Sequence, residues 1–483
     1  MSRRAAIILV FLILVWGGPW ALGLITDWLW FADLGFESVY RIRLLTQGTL
    51  FLVGGVAALA LLLGNVFLAQ RLSHRALGQV ELPGHAQMRA MEPTFSLAVI
   101  GGGLFFALTM AGSLAARWSD VLRFFRPTAF GATDPLFGRD IAFFVFTLPV
   151  YRFVQGWLLM AVVLALLAAG AVYAFRLVLP QLPPAGEDGT EMMRPRLSFT
   201  LDLSRPMRAH LFGLGAVFFA LLVWGYRLNV YELVYSAAGA AFGAGYADVH
   251  ARLPAQWFLM ALSLLSALLL LLAVPRGGFR LPAAAGGLWI AAAIVVGGIY
   301  PAIVQRLIVQ PQELERERPY LERSIRMTRQ AFALDRIQEV PVAGEETITS
   351  EEIAQNPGTI GNIRLWDPEP LLTTYNQIQS IRAYYEFVGV DVDRYTIDGE
   401  YRQVMLSARE LAPERLPSQA QTWVNRRLQF THGYGAAMSA VNEVTPEGLP
   451  TLFVQDVPPR GKVPIDRPEL YFSEKSADDV IVR

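Results

Sequence analysis

Seven apolar stretches dominate the first 305 residues of this 483-residue chain, and each is about as long as a membrane span. About 20 apolar residues folded as an α-helix match the hydrocarbon thickness of a bilayer. The stretches cover residues 5–25, 46–69, 95–116, 154–179, 210–226, 255–274 and 283–304. None of them carries Asp, Glu or Lys in its central part. The pattern predicts an all-α membrane bundle of about seven transmembrane helices.

Charge divides the chain just after the last apolar stretch. Residues 1–305 contain 21 basic and 14 acidic residues, whereas residues 306–483 contain 20 basic and 27 acidic residues. The two parts therefore carry net charges of +7 and −7, which cancel over the whole chain. The second part has the charged share of a soluble protein, about a quarter. We predict a transmembrane helical domain over residues 1–305 and a soluble domain over residues 306–483, which excludes a single soluble globule.

The positions of the arginines indicate the orientation. With the N-terminus in the cytoplasm, 12 arginines of residues 1–305 lie inside and 9 lie outside, as the positive-inside rule favours. Arg3 and Arg4 stand directly before the first apolar stretch. We interpret that stretch as an uncleaved anchor, because it is longer than the apolar region of an ordinary signal peptide. Seven spans then place the C-terminal domain on the extracytoplasmic side.

Helix signals recur after residue 305. Pro319 suits the first turn of a helix, and Asp367, which precedes a proline, suits a helix N-cap. Ser418 and Gln421 have the spacing of a capping box, so they predict a third helix. Gly433 could close that helix at its C-terminal end.

Strand signals in the same region predict an α+β domain. Asp398 and Gly399 form the two-residue turn typical of a β-hairpin, and they are flanked by residues 395–397 and 400–407. Further strands are predicted over residues 451–454 and 469–472, and a loop is predicted over residues 341–360. Because the chain stops directly after an apolar pair, we expect this soluble domain to be incomplete, as part of a longer protein.

The loop at residues 134–140 is the first candidate site. Asp134, Arg139 and Asp140 place two carboxylates and a guanidinium within seven residues. Paired carboxylates can hold a cation or share acid and base roles. Asp-Pro and Gly are also common turn formers. A ligand site and a turn with a local Arg–Asp pair are therefore both open.

Two further groups of candidate ligand-binding residues lie in the soluble part. Asp391 and Asp393 stand near the predicted hairpin, but they lack the spacing of an EF-hand loop. Asp393 is followed by an arginine, so a surface ion pair is the alternative. His432 lies just before a glycine turn, where it could act as a base, a ligand or a helix cap.

Several chemistries find no support in the sequence. The chain has no cysteine, which excludes disulfides, thiolate metal sites and cysteine nucleophiles. No Walker loop, dinucleotide fingerprint or zinc-protease helix is present. Basic residues of the first part are scattered, so nucleic-acid binding is not indicated. We predict no metal site, no cofactor and no catalytic residue, and we favour a non-enzymatic role.

The most distinctive stretches of the chain occur in both predicted domains. They are residues 30–35, 134–149, 243–248, 317–331, 362–367, 391–399, 409–411 and 423–435. In these stretches the chain resembles uncharacterised protein family 0182, a family of bacterial multi-pass membrane proteins. The resemblance implies several spans, generally about seven, followed by a large extracytoplasmic region in a longer chain. It implies no activity and no catalytic residues.

These observations favour a plasma-membrane protein of a bacterium that contacts the lipid bilayer and exposes an exported domain. Its function would be that of a structural, assembly or binding component of the cell envelope, with an envelope protein or polymer as partner. Two alternatives stay open. One is a transporter or channel through the helical bundle, and the other is a membrane-bound enzyme that acts on an exported or lipid-linked substrate.

Overall fold

The fold is given by a computed structural model, which describes residues 3–77, 85–178, 203–341, 344 and 347–475. The chain divides into two compact units. The helical unit comprises Ile25–Gln338, and the sheet unit comprises Glu339–Arg483 together with Met1–Leu24.

Helices, most of them long, form most of the described chain up to residue 338. They are α1 (Arg3–Asp33), α2 (Glu37–Leu77), α3 (His85–Ala115), α4 (Trp118–Phe125), α5 (Leu148–Val178), α6 (Arg205–Glu232), α7 (Leu253–Arg276), α8 (Arg280–Ile294), α9 (Tyr300–Ile303) and α10 (Glu313–Ala331). Within the described residues, six helical segments are long and apolar enough to cross a membrane, and they coincide with the second to seventh predicted stretches, of which the fourth ends at residue 179, outside the described residues. The first predicted stretch lies in α1.

Small side chains bring the helices of the bundle together. Ala58 of α2, Ala107 of α3 and Ala161 of α5 are almost fully buried in one cluster. A Cβ atom on Gly54 would come within 2.9 Å of the Leu114 side chain, so α2 and α3 approach closely there. Such contacts are typical of membrane helices, because lipid offers no hydrophobic driving force and close packing must supply the attraction.

The last membrane-compatible segment continues into a polar helix, with a non-helical backbone conformation at Gln312 directly before that helix. It runs from Arg280 to Ala331 over 52 residues. Two π-helical turns, Val295–Ile299 and Val304–Val309, and one 3-10 turn, Gln310–Gln312, lie between α8 and α10. The helix predicted near Pro319 is thus confirmed, but it begins at Glu313 and Pro319 lies inside it.

The sheet unit is built on antiparallel strands. They are β1 (Tyr385–Glu386), β2 (Asp391–Ile397), β3 (Glu400–Ala408), β4 (Glu410–Leu411), β5 (Gly433–Tyr434), β6 (Ala436–Val444), β7 (Pro450–Gln455), β8 (Arg460–Gly461) and β9 (Glu469–Leu470). The main sheet has the order β2-β3-β6-β7-β8, while β1 pairs with β4 and β5 pairs with β9.

Three short helices precede the sheet. They are α11 (Ser350–Gln355), α12 (Pro357–Ile360) and α13 (Pro368–Ile378). The fully buried Leu371 and Tyr375 of α13 pack against Phe387, Met405 and Val441 on one face of the sheet. The architecture is therefore sheet-rich with a covering helix, as the α+β prediction required.

Two local predictions for the sheet unit are confirmed. The side chain of Asp367 caps α13 by accepting a hydrogen bond from the backbone nitrogen of Glu369. Asp398 and Gly399 join β2 to β3 with φ values of +56° and +82°. Positive φ at both positions is the requirement of a type I′ hairpin turn.

The helix predicted to follow Ser418 is wrong. The structure has a 3-10 turn at Ser418–Ala420 and a five-residue π turn at Asn425–Gln429, and Gly433 belongs to β5. The side chain of Gln421 donates to the backbone oxygens of Glu414 and Leu416, so it does not complete a capping box. The predicted loop at 341–360 is also corrected, because it contains α11 and α12.

Candidate functional site

An apolar pocket of about 440 Å³ lies in the helical unit, where three distant chain segments meet. The first segment is the loop from Asp134 to Val145, which leads into α5. The second runs from Val234 to Gly245 after α6, and the third is the face of α10 from Glu317 to Phe332. We call this cavity the α10 pocket.

One face of α10 forms a wall of the pocket. Glu317, Leu321, Ser324, Thr328 and Ala331 line it and recur at intervals of three and four residues. This spacing places their side chains on the same side of a helix. The wall extends over four turns, and it begins with the carboxylate of Glu317.

Glu317 is the most buried charged side chain of this wall, with 2 % of its surface exposed. Its two carboxylate oxygens accept from the backbone nitrogen of Tyr246 at 3.2 and 3.0 Å. A Cβ atom on Gly245 would come within 2.9 Å of one carboxylate oxygen, so a larger residue there would displace the carboxylate. The carboxylate therefore joins α10 to the chain after α6.

A second carboxylate holds the same turn. Asp248 accepts from the backbone nitrogen of Gly245 at 3.1 Å and from the guanidinium of Arg252 at 2.7 Å. Arg252 also donates to the hydroxyl of Ser236 at 3.2 Å. Because Asp248 is buried and both of its oxygens have donors, the turn has a defined position beneath the pocket.

The predicted loop site contributes one residue to the pocket. Asp134 lines it, but one oxygen of Asp134 accepts from the backbone nitrogens of Leu136 and Phe137 at 3.0 and 2.6 Å. Arg139 lies over the rings of Phe143 and Tyr231, with its guanidinium carbon 4.6 and 4.9 Å from the ring centroids. Asp134 and Arg139 thus lie in one loop, where Asp134 accepts backbone hydrogen bonds and Arg139 contacts two aromatic rings.

Asp140 completes this loop. Its carboxylate accepts from the backbone nitrogens of Ala142, Phe130 and Gly131 at 2.7, 3.2 and 3.1 Å. These donors, Ala142 foremost, lower the pKa of Asp140 from its ordinary value of 3.8 because they stabilise the ionised form. An antiparallel bridge pairs Thr133 with Asp140, which closes the loop.

The other predicted site residues belong to the sheet unit. Asp391 and Asp393 are exposed on β2, and Asp393 accepts from the backbone nitrogen of Arg394 at 2.7 Å. His432 lies 2.8 Å from the hydroxyl of Thr431, and its ring centroid is 4.7 Å from that of Tyr471. Among the described residues, no group of three or more His, Asp or Glu side chains has an arrangement that could hold a metal ion.

Sequence reasoning missed the residues that build the α10 pocket. Glu317, Gly245 and Tyr246 lie in the distinctive stretches, but no motif gave them a role. One local signal was present: Glu317 occupies the same helical face as Leu321 and Ser324. The contact with Tyr246 could not be predicted, because 71 residues separate the two positions.

In the part of the chain that the structure describes, six membrane-compatible helices followed by a sheet-rich unit indicate a multi-pass membrane protein. The chain belongs to the uncharacterised protein family UPF0182, whose profile matches residues 4–483.

Relatives of this family occur in diverse bacteria. A UPF0182 protein of Cupriavidus necator is 40% identical over 470 residues, which cover 95% of this chain and 50% of the relative. A UPF0182 protein of Desulforamulus reducens is 36% identical over 96% of this chain and 50% of its own length. The chain spans about half the length of the curated relatives it matches. No solved structure matches the chain.

Proposed function

We propose that this chain is a non-enzymatic binding component of the bacterial cell envelope and that the α10 pocket is its ligand site. One observation carries the proposal: three segments from distant parts of the chain converge on a single apolar pocket. Pockets of about 300–1,000 Å³ with mostly apolar walls and a few polar groups are typical of small-molecule sites.

The chemistry of the pocket supports binding rather than catalysis. Asp134 and Glu317, which are the carboxylates in its walls, both accept hydrogen bonds from backbone nitrogens. Tyr235 donates its hydroxyl proton to the backbone oxygen of Phe144 at 3.0 Å. Groups that are engaged in this way position the walls of the pocket.

The proposal includes a topology. The plasma membrane would be crossed seven times, with α1 as the first span, the N-terminus in the cytoplasm and residues 306–483 in an extracytoplasmic domain. Alternating spans then assign the three pocket segments to the extracytoplasmic side. The sheet unit would present its surface to an envelope protein or polymer.

Native mass spectrometry of the chain in a mild detergent tests the binding function. We expect a stoichiometric adduct of small molecular mass on the wild type. Met327→Trp places a bulky ring in the pocket wall, so it should remove the adduct. Ile325→Trp is the matched control, because Ile325 lies on the same helix, is 57% exposed and does not line the pocket. A wild type that carries no adduct, or an adduct insensitive to Met327→Trp, would refute the proposal.

Single cysteines test the topology, since the chain has none of its own. Ser418→Cys should react with a membrane-impermeant thiol reagent in intact cells, and Ser204→Cys should react only after permeabilisation. Reaction of Ser204→Cys in intact cells would invert the proposed orientation.

A further inference from the structure

We infer that the α10 pocket takes one acyl chain of an anionic membrane phospholipid, an inference that rests on the proposed binding function and names its ligand. Four features of the pocket support this inference. They are its length, its mostly apolar walls, its place near the ends of membrane-compatible helices and the arginine in its wall.

The pocket is long enough for a lipid chain. Its α10 wall extends from Glu317 to Phe332, which is about 22 Å along a helix axis at about 1.5 Å per residue. One leaflet contributes about half of the roughly 30 Å hydrocarbon thickness of a bilayer. An acyl chain therefore fits lengthwise against this face of α10.

The walls leave an incoming ligand few polar partners. Leu136, Ile141, Val145, Leu321 and Met327 contribute apolar side chains. The carboxylates of Asp134 and Glu317 and the hydroxyl of Tyr235 already form hydrogen bonds within the protein. Apart from the hydroxyls of Ser324 and Thr328 and the guanidinium of Arg323, a polar ligand would find few partners, whereas a hydrocarbon chain gains dispersion contacts and leaves water.

The pocket lies where membrane-compatible helices begin and end. Phe144 and Val145 belong to the start of the segment Phe143–Arg176, and Val234 and Tyr235 end the segment Arg205–Tyr235. On the proposed topology these helix ends lie just beyond the predicted spans on the extracytoplasmic side, towards the headgroup layer, where aromatic side chains are favoured. A bilayer lipid is therefore an apolar ligand available close to the pocket.

Several large apolar side chains of the pocket lining are exposed on the surface. Val145, Tyr235, Phe242 and Phe332 are 47, 45, 67 and 74% exposed, and all four line the pocket. Exposed apolar groups that border a pocket mark a surface for an apolar partner. Their continuity with the membrane-compatible helices favours bilayer lipid over a ligand dissolved in water.

A positive charge in the wall favours a phosphate headgroup. The guanidinium carbon of Arg323 lies 5.5 Å from the ring centroid of Tyr320 on the same helix. Arg323 forms no ion pair with any residue that the structure describes. It is half-buried, and arginine binds phosphate oxygens through a planar fork of N–H donors.

Photolabelling of the chain in lipid vesicles tests the inference. The probe is phosphatidylglycerol with a diazirine at the end of one acyl chain, diluted into vesicles of unlabelled phosphatidylglycerol and phosphatidylethanolamine. We expect label on peptides from residues 317–332 and 134–145, and about tenfold less of it in Met327→Trp. Ile325→Trp should be labelled as the wild type is.

Two further variants keep the test decisive. Ala244→Phe fills the pocket from the opposite wall, and it replaces Met327→Trp if that variant does not fold. Arg323→Gln should reduce labelling by the phosphatidylglycerol probe more than labelling by a phosphatidylcholine probe of the same chain. Equal reductions in labelling by the two probes would contradict the inferred preference for an anionic headgroup.

The outcomes separate this inference from the proposed function. Label confined to lipid-exposed helix surfaces, such as those of Leu264 and Leu271, and unchanged by pocket variants would overturn the lipid assignment. If native mass spectrometry still showed a pocket-dependent adduct of another chemical class, the binding function would stand. If no pocket-dependent adduct were found, both would fail.

Discussion

The two carboxylate oxygens of Glu317 lie 3.2 and 3.0 Å from the backbone nitrogen of Tyr246. This contact joins α10 to the turn after α6 across 71 residues of sequence. The neighbouring Gly245 has no side chain, and any Cβ there would approach the carboxylate to 2.9 Å. The pair therefore couples the identity of residue 245 to that of residue 317.

Substitutions at these two positions should be strongly non-additive. Glu317→Ala leaves the backbone N–H of Tyr246 without its acceptor, which should cost about 1–3 kcal/mol of unfolding free energy. Glu317→Gln keeps an acceptor oxygen and should cost less. Gly245→Ala should destabilise the wild type but have little effect in the Glu317→Ala background, because the clash is gone. Thermal unfolding of the four variants in detergent measures this coupling, and additive effects would contradict it.

Asp140 should make the stability of its loop depend on pH. Its pKa in the folded chain is lowered from 3.8 by backbone donors, so its stabilising effect is complete above 3.8. That effect is lost as the pH falls through the lower, folded-state pKa. Asp140→Asn cannot ionise, so it should lower the apparent melting temperature at pH 7.

The difference between wild type and Asp140→Asn should shrink as the pH falls below about 4, where the wild-type carboxyl becomes protonated. Scanning fluorimetry from pH 7 to pH 3 measures it. A constant difference over this range would show that the carboxylate charge has no part in holding the loop. Asp393→Asn serves as the control, because Asp393 is exposed and accepts only from its neighbour's nitrogen.

Arg409 should be the most sensitive charged residue of the sheet unit. It is fully buried and donates to the backbone oxygens of Gln379, Tyr434 and Asp456 at 2.8, 2.9 and 3.1 Å. Lysine cannot reproduce this planar set of donors. Arg409→Lys should therefore cost about 3 kcal/mol, since two or more charge-assisted hydrogen bonds are lost.

Arg415→Lys is the matched control for that substitution. Arg415 pairs with Glu386 near the surface, where ion pairs contribute about 1 kcal/mol or less. Denaturant unfolding of both variants gives the comparison. Equal losses of stability would mean that burial of Arg409 is not what makes it sensitive.

A polar chain inside the bundle gives a fourth prediction. His210 on α6 lies 2.8 Å from the hydroxyl of Tyr173 on α5 and 2.9 Å from the side-chain oxygen of Asn65 on α2. Hydrogen bonds between membrane helices contribute about 0.6 kcal/mol each on average. His210→Ala should therefore lower the stability of the bundle by about 1 kcal/mol in mixed micelles.

Ser113→Ala is the control for this helix contact, because Ser113 donates to Met110 of its own helix. It should leave the stability of the bundle almost unchanged. If Ser113→Ala and His210→Ala had the same effect, the interhelical role of His210 would be disproved.

Local sequence patterns predicted the elements whose signals are local. The six described membrane-compatible helices follow from apolar runs, and the β2–β3 turn follows from Asp398 and Gly399. The capping pattern at Ser418 predicted the wrong structure, because Gln421 turns to the carbonyls of Glu414 and Leu416. Where a side chain has several hydrogen-bond partners within reach, residue spacing alone does not determine which of them it contacts.

The candidate site could be predicted only in part. Asp134 was predicted as a candidate ligand-binding residue, and it lines the α10 pocket. In the fold, strand β6 at the centre of the main sheet was also missed, because it carries small and apolar residues without turn signals. The pocket depends on contacts between segments about 100 and 70 residues apart, so no single window of sequence contains it.

The helical run from Arg280 to Ala331 has a consequence for the number of residues that it contains. Each residue advances an α-helix by about 100°. Insertion or deletion of one residue between Val295 and Val309 would rotate α10 by that angle unless a π turn or the non-helical backbone at Gln312 absorbed it. Glu317 would then point away from Tyr246. The number of residues in this helical run is thus as important for the contact between Glu317 and Tyr246 as the identity of its side chains.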